Sequence, residues 1–229
     1  MKNPIIVWKV EPINDFFDEP FTQNGMVYQP KLAVPGSKSI RENLSLVARY
    51  AANTPGYRDM GTVDDHTAND IMHVKKWGMH SERGTAGQAL IHEVQLPNTL
   101  YIPQTTEVDP KLVAEATLHT GPVYFFKHER TEDTDADACN SPRANPNIAA
   151  TLAEIKPSLI LLGGVVLGYC VKDARDYFRE LRYRVGHVTD ATKEFAADEL
   201  ALYGKWKEEG DLLVHTYDVL VGKLEELVR

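Results

Sequence analysis

Short apolar runs recur along this 229-residue chain, separated by stretches with helical periodicity. The runs are Ile5–Val10, Tyr57–Val63, Val123–Lys127, Ser158–Val165, Arg184–Val188 and Leu212–Thr216. Each is brief and mostly apolar, the pattern of a parallel strand covered on both faces. Between them, Lys38–Ala52 places Ile40, Leu44, Val47, Ala48 and Ala51 near the helical period. Ser37 or Ser39 is suited to cap that helix, and Gly56 lies beyond its end. Pro110–Thr117, Ile148–Ile155, Val171–Arg182, Lys193–Glu208 and Val219–Leu227 read as further helices. The alternation predicts an α/β fold: a doubly wound, mostly parallel sheet of six strands, helices on both faces, right-handed crossovers. No repeat or low-complexity linker interrupts the pattern, so 1–229 reads as a single domain. Sheets of this kind carry their sites at the carboxyl ends of the strands. That directs attention to the turns after Val10, Phe126 and Val165.

The formal net charge of −8 makes nucleic acid and anionic membrane poor partners. No run approaches the roughly 20 apolar residues that span a bilayer. The start, Met1 to Pro12, reads as a first strand and not as a signal peptide. Cys139 and Cys170 are too few for a disulfide framework, so a reducing, cytoplasmic setting is the simpler expectation. The polar segment Glu129–Asn147 reads as an insertion, with a loop over a site as the alternative.

The strongest local signal is Gly163-Gly164-Val165-Val166-Leu167-Gly168-Tyr169-Cys170-Val171-Lys172. A buried strand runs into glycines, and a thiol follows where a helix begins. Unpaired N–H groups and the positive dipole end favour thiolate there and could hold an oxyanion. A small buried core thiol fits the same position equally well. Lys127 ends its strand, and beside a thiol its charge would lower the thiol pKa; alone it reads as a solvated strand end. Glu11 and Asp15 follow the first strand, where a carboxylate could relay a proton or serve a turn or cap. Asp64-Asp65-His66, then Asp70, His73 and His80, offer carboxylate and imidazole ligands suited to zinc, manganese or iron. Surface or satisfied core histidines are the alternative.

Together these pieces resemble the isochorismatase-like cysteine hydrolases. The family's cysteine motif often reads Gly-Val-x-x-x-x-Tyr-Cys-Val, and Gly164 to Val171 matches it closely. Its first motif, Asp-x-Gln-Asn-Asp-Phe, is similar to Glu11-Pro12-Ile13-Asn14-Asp15-Phe16. The nicotinamidase branch adds Asp-x-His and later Trp-x-x-His with a Gly-Thr-x-Gly turn. Asp64-Asp65-His66 and Trp77-Gly78-Met79-His80, then Gly84-Thr85-Ala86-Gly87, resemble these.

The resemblance implies Glu11, Lys127 and Cys170 as the catalytic set, with backbone N–H groups of Val166 and Cys170 as oxyanion donors. It implies a cis Val165–Val166 peptide. It implies Asp64, His66 and His80 as ligands of a divalent metal, zinc first, with Asp70 as a further ligand. Phe16 and Trp77 would wall a flat substrate ring. The implied activity is hydrolysis of a small amide such as nicotinamide through a thioester, by a homo-oligomeric enzyme. Carbamoyl, ureido or vinyl-ether substrates are alternatives, as are a non-catalytic binding protein on the same fold and a metallohydrolase. Glu11 stands where aspartate is usual, and Gly168 where an acidic residue is common.

Overall fold

Seven parallel strands form the central sheet of the computed structural model, which describes residues 3–127 and 141–227. In chain order the elements begin with β1 (Ile5–Val10), a hairpin of β2 (Phe21–Gln23) and β3 (Met26–Tyr28), and α1 (Arg41–Asn53). Next come β4 (Tyr57–Asp64), α2 (Ile71–Trp77), β5 (Leu100–Ile102), α3 (Pro110–His119) and β6 (Val123–Lys127). Then follow α4 (Asn147–Ile155), β7 (Leu159–Val165), α5 (Lys172–Glu180) and β8 (Val185–Lys193). The chain closes with α6 (Ala201–Glu208), β9 (Leu212–Val214), α7 (Thr216–Leu220) and α8 (Leu224–Leu227). The sheet order is β5-β6-β4-β1-β7-β8-β9, so the winding reverses between β1 and β7. Among the described residues no helix is long and apolar enough to cross a membrane.

Burial explains the strand signal. All six residues of β1 and all seven of β7 are buried. Side chains alternate across a strand, so Ile5 and Val7 join one core with Leu44 and Val47 of α1. Ile6, Trp8 and Val10 join the opposite core with Phe178 of α5 and Trp206 of α6. Lys9 departs from the apolar pattern, and it pairs with Asp59 in the interior.

The sheet has one strand more than the six expected. β5 is a three-residue edge strand, too short to show a period. The hairpin strands of three residues and the seven-residue α2 also lie outside the periodic segments. The expected helix over Lys193–Glu208 is corrected. β8 runs on through Thr189, Ala191 and Thr192 to Lys193, with a register shift against β7 between Leu162 and Gly164. Helix begins only with the 3₁₀ turn Ala197–Leu200 and α6. β-branched Thr189 and Thr192 sit well on a pleated surface, and Ala191 is small enough for the inner core. The expected last helix is two pieces, broken before Leu224 where Gly222 takes a left-handed φ of 71°. Of the segment 129–147, only 141–147 is described. Pro142–Ala144 there forms a 3₁₀ turn leading to α4. The rest of that segment, with Cys139, lies outside the described residues.

Candidate active site

The carboxyl ends of β1, β4, β6 and β7 present Glu11, Asp64, Lys127 and the turn bearing Cys170 on either side of the winding reversal. Glu11 follows β1 with φ +48°. A bulky residue seldom adopts that conformation, and such strain concentrates at functional positions. The left-handed turn ends the strand alternation and turns the longer carboxylate into the sheet edge. There one oxygen lies 3.0 Å from Lys127 Nζ, and the other accepts the Asp64 backbone N–H. Lys127 Nζ also lies 3.2 Å from Asp64 Oδ1. All three side chains are buried.

Burial, then the Asp64 charge, raises the Glu11 carboxyl to about 7 against the pull of Lys127. Asp64 behaves in the opposite way. Burial alone would raise it, but Lys127 and His66 hold it well below the usual carboxylate range. Of the two acids, Glu11 is therefore the one able to exchange a proton near neutrality.

Cys170 sits in a π-helical turn, Leu167–Val171, that opens α5. Single π turns within helices recur at functional sites. The Tyr169 and Val171 N–H groups both return to the Val166 carbonyl, each at 3.1 Å. The Val165–Val166 peptide is cis. Gly164 lets β7 pass β1 closely, since a Cβ there would collide with the Val10 carbonyl. Burial pushes the Cys170 thiol up, Lys127 pulls it down, and Asp64 and Glu11 add to the rise. The thiolate favoured by the helix start is thus not the resting form. Lys127 is shared between two carboxylates, and its charge does not offset desolvation.

A second group of side chains lies beside this edge. His66 follows β4, His73 lies on α2, and His80 follows the Gly78 turn. All three are buried, with ligand nitrogens within 4.8 Å of one another. His73 Nε2 and His80 Nε2 are 3.4 Å apart. His80 Nδ1 lies 2.9 Å from the Gly78 carbonyl, which directs its proton there and leaves Nε2 a lone pair. His66 Nε2 is buried without a hydrogen-bond partner, 3.7 Å from Asp64 Oδ2. His66 Nδ1 faces Asp70 Oδ2 at 3.3 Å. Ring nitrogens converging in the interior, with Asp70 behind the His66 ring, suit a divalent metal such as zinc, which would displace the ring proton it meets.

Asp70 is therefore placed behind His66, not in the cluster. Its carboxylate also accepts the Thr67 N–H at 2.8 Å. His73 holds the place among the imidazoles that the family resemblance did not assign to it. The signal lay in its spacing: His73 and Trp77 are four apart on α2, hence on one face.

Between the two groups runs a cleft of about 310 Å³, including the part open to solvent. Phe16, Trp77, Val166 and Cys170 line it, together with Leu32, Tyr169 and Phe195, which sequence reasoning missed. Leu32 and Phe195 come from loops. Phe16 meets the His80 ring at 5.3 Å and Trp77 meets Tyr169 edge-on at 5.2 Å. Asp15 ties the loops together, accepting the Ser81 N–H at 2.7 Å and the Lys31 N–H at 3.1 Å.

No family model matches the chain, and no curated protein matches its sequence. Solved structures do resemble it. An isochorismatase-like hydrolase from Alkaliphilus metalliredigens has a TM-score of 0.65 at 14% identity, over 96% of this chain and 98% of that one. PnC1 from L. infantum, in complex with nicotinate, has a TM-score of 0.67 at 16% identity, over 94% of each chain. The pyrazinamidase of Pyrococcus horikoshii, in complex with zinc, has a TM-score of 0.66 at 20% identity, over 92% of this chain and 98% of that one. Nearly the whole length superposes at low identity, so the likeness is one of architecture. The chain has the fold of the isochorismatase-like hydrolases.

Proposed function

We propose that this protein is a cysteine amidohydrolase that cleaves a small ring-bearing amide, nicotinamide being the first candidate, to an acid and ammonia. The observation that carries this reading is a cleft lined by Cys170, Asp64, His73 and His80, with the buried Glu11–Lys127 pair close enough for both charges to act on the thiol. The likeness in fold to a nicotinate-bound protein and to a pyrazinamidase supports it.

Glu11, near 7, accepts the thiol proton as Cys170 Sγ bonds to the amide carbon. Lys127 keeps the carboxylate placed and balances the charge of the site. Backbone N–H groups of Val166 and Cys170 take the negative oxygen of the tetrahedral adduct. Glu11 returns its proton to the leaving nitrogen, the C–N bond breaks, ammonia departs and a thioester remains. Glu11 then takes a proton from water as the water attacks the thioester carbon. The acid leaves, and the sulfur regains its proton. Phe16, Trp77 and Tyr169 hold the flat ring so that its carbonyl faces the sulfur, and they exclude bulk water. His66, His73 and His80, with Asp64 beside them, would hold a divalent metal, which would supply a Lewis-acid anchor for a ring nitrogen.

Ammonia release from nicotinamide and a panel of small amides, measured with and without chelator, tests the reading. Turnover of a ring amide that chelator suppresses and thiol alkylation abolishes is the expected result. Activity that survives complete alkylation of Cys170 overturns it.

A further inference from the structure

The turn that carries Cys170 has no side-chain cap of its own. Its Gly168 N–H donates instead to Glu199 Oε2 at 2.7 Å, from a segment 31 residues on. That is the length of a charge-assisted hydrogen bond. The other Glu199 oxygen accepts the Ala196 N–H at 3.2 Å and closes the first turn of Ala197–Leu200. One carboxylate thus bridges two backbones: the turn holding the sulfur and the loop holding Phe195. Phe195 lines the cleft and meets the Tyr169 ring edge-on at 6.0 Å.

Gly168 supplies a second, independent observation. A Cβ there would stand 2.7 Å from Glu199 Cδ and 2.9 Å from Cγ. Real Cβ atoms do not approach so closely, so the glycine is the space into which Glu199 fits.

We propose that Glu199 is a positioning residue for Cys170, fixing the nucleophile's turn against the Phe195 wall of the cleft. The inference rests on the reading of Cys170 as nucleophile. Glu199 is not among the residues lining the cleft; it acts by holding the Gly168 N–H and the Ala196 N–H at one carboxylate. Loss of that clamp lets the sulfur wander from the line of attack, which affects the chemical step more than binding.

The test compares Glu199→Ala, Glu199→Gln, Gly168→Ala and the Gly168→Ala/Glu199→Ala double variant in the full chain. Two readouts are used: kcat and KM on the best amide, and the rate of Cys170 alkylation by iodoacetamide, assigned by peptide mass spectrometry. Glu199→Ala should lower kcat about tenfold with KM within about threefold. Glu199→Gln keeps an oxygen for the Gly168 N–H and should recover most of that loss. Gly168→Ala should be costly alone and nearly silent once Glu199 is alanine, the non-additivity of two residues in contact. An equal Gly168→Ala penalty in both backgrounds, or a kcat unchanged in Glu199→Ala, overturns the proposal. If no amide is turned over, the functional reading fails and the alkylation series decides this inference alone. A severalfold rate change in Glu199→Ala, restored in Glu199→Gln, supports it, and a constant rate rejects it. If Glu199→Ala does not fold, Glu199→Asp takes its place under the same criteria, being one methylene too short to keep both bonds.

Discussion

Lys127 Nζ lies 3.0 Å from Glu11 Oε1, with both side chains sealed from solvent. Removing one member of a buried pair leaves the other charge uncompensated, at a cost of about 3–5 kcal/mol. Lys127→Met leaves Glu11 and Asp64 facing each other, so a loss of that size is expected in urea denaturation. Glu11→Gln leaves Lys127 with Asp64 at 3.2 Å. It should cost less stability but lower kcat by about 10²–10⁴-fold. Equal stability losses with retained turnover would contradict the assignment of Glu11 as proton carrier.

Cys170 lines the cleft but is not in the histidine cluster. Cys170→Ala should therefore abolish ammonia release while metal bound per chain stays the same, as read by elemental analysis. Residual turnover at the native rate would remove the sulfur from the mechanism.

The three imidazoles and Asp70 should behave differently in metal titrations. His73→Ala and His80→Ala each remove a converging nitrogen, and both are expected to lose metal; His80→Ala also raises KM. Asp70→Asn changes the group behind His66, whose carboxylate also accepts the Thr67 N–H. A weakening of about 10–100-fold is expected for such an outer contact. Unchanged stoichiometry in His80→Ala would exclude that residue, and complete metal loss in Asp70→Asn would make Asp70 a direct ligand.

Trp77 presents its ring to the cleft and packs edge-on against Tyr169 at 5.2 Å. Trp77→Ala removes a wall for the ring without touching the reacting atoms. KM should rise about tenfold with kcat changed far less. A fall in kcat at constant KM would mean that Trp77 serves the chemical step instead.

A buried cluster away from the cleft is expected to contribute to acid stability. His187 Nε2 lies 3.1 Å from Asp211 Oδ2, and Arg175 Nε lies 2.8 Å from the same oxygen. Burial lowers the His187 pKa below its ordinary 6.5, with Arg175 adding to the fall and Asp211 opposing it. The unfolded chain therefore binds a proton below pH 6.5 that the folded one refuses, and stability falls on acidification from there. Burial would raise Asp211, but His187 and Arg175 outweigh it and hold the carboxyl below 3.8. Its stabilising share is present above 3.8 and is lost as pH falls through the lowered value. His187→Gln keeps a donor for Asp211 but does not titrate. The Tm difference between wild type and this variant should shift in the variant's favour between pH 7 and 5. A difference constant over that range would show that His187 does not titrate on unfolding.

Periodicity made the long elements legible. β1 and β7 are buried along their whole length and read as unbroken apolar runs, and α1 shows its buried face in Leu44, Val47, Ala48 and Ala51. β5, α2 and the hairpin were invisible because they are short and mostly exposed, so no long apolar run marks them. The helix read over Lys193–Glu208 starts only at Ala197, because β-branched Thr189 and Thr192 carry β8 past Val188 to Lys193. Cys170, Lys127 and Glu11 were legible as strand ends and a helix start. Leu32 was not, since it comes from a loop with no repeating mark, and Phe195 was hidden inside the segment read as helix.

Local sequence determined which segments become strands and helices, because burying an apolar stripe demands a fixed spacing of side chains. It also placed reactive groups at strand ends, where a parallel sheet opens its site. Only the tertiary structure decided that Glu11 turns left-handed to meet Lys127, that His73 joins His66 and His80 while Asp70 stands behind, and that Glu199 fills the space at Gly168. Two of those relations, Glu11 with Lys127 and Gly168 with Glu199, join residues far apart along the chain. They depend on crossing, register and burial, and desolvation at the sheet edge then sets which acid and which thiol hold a proton.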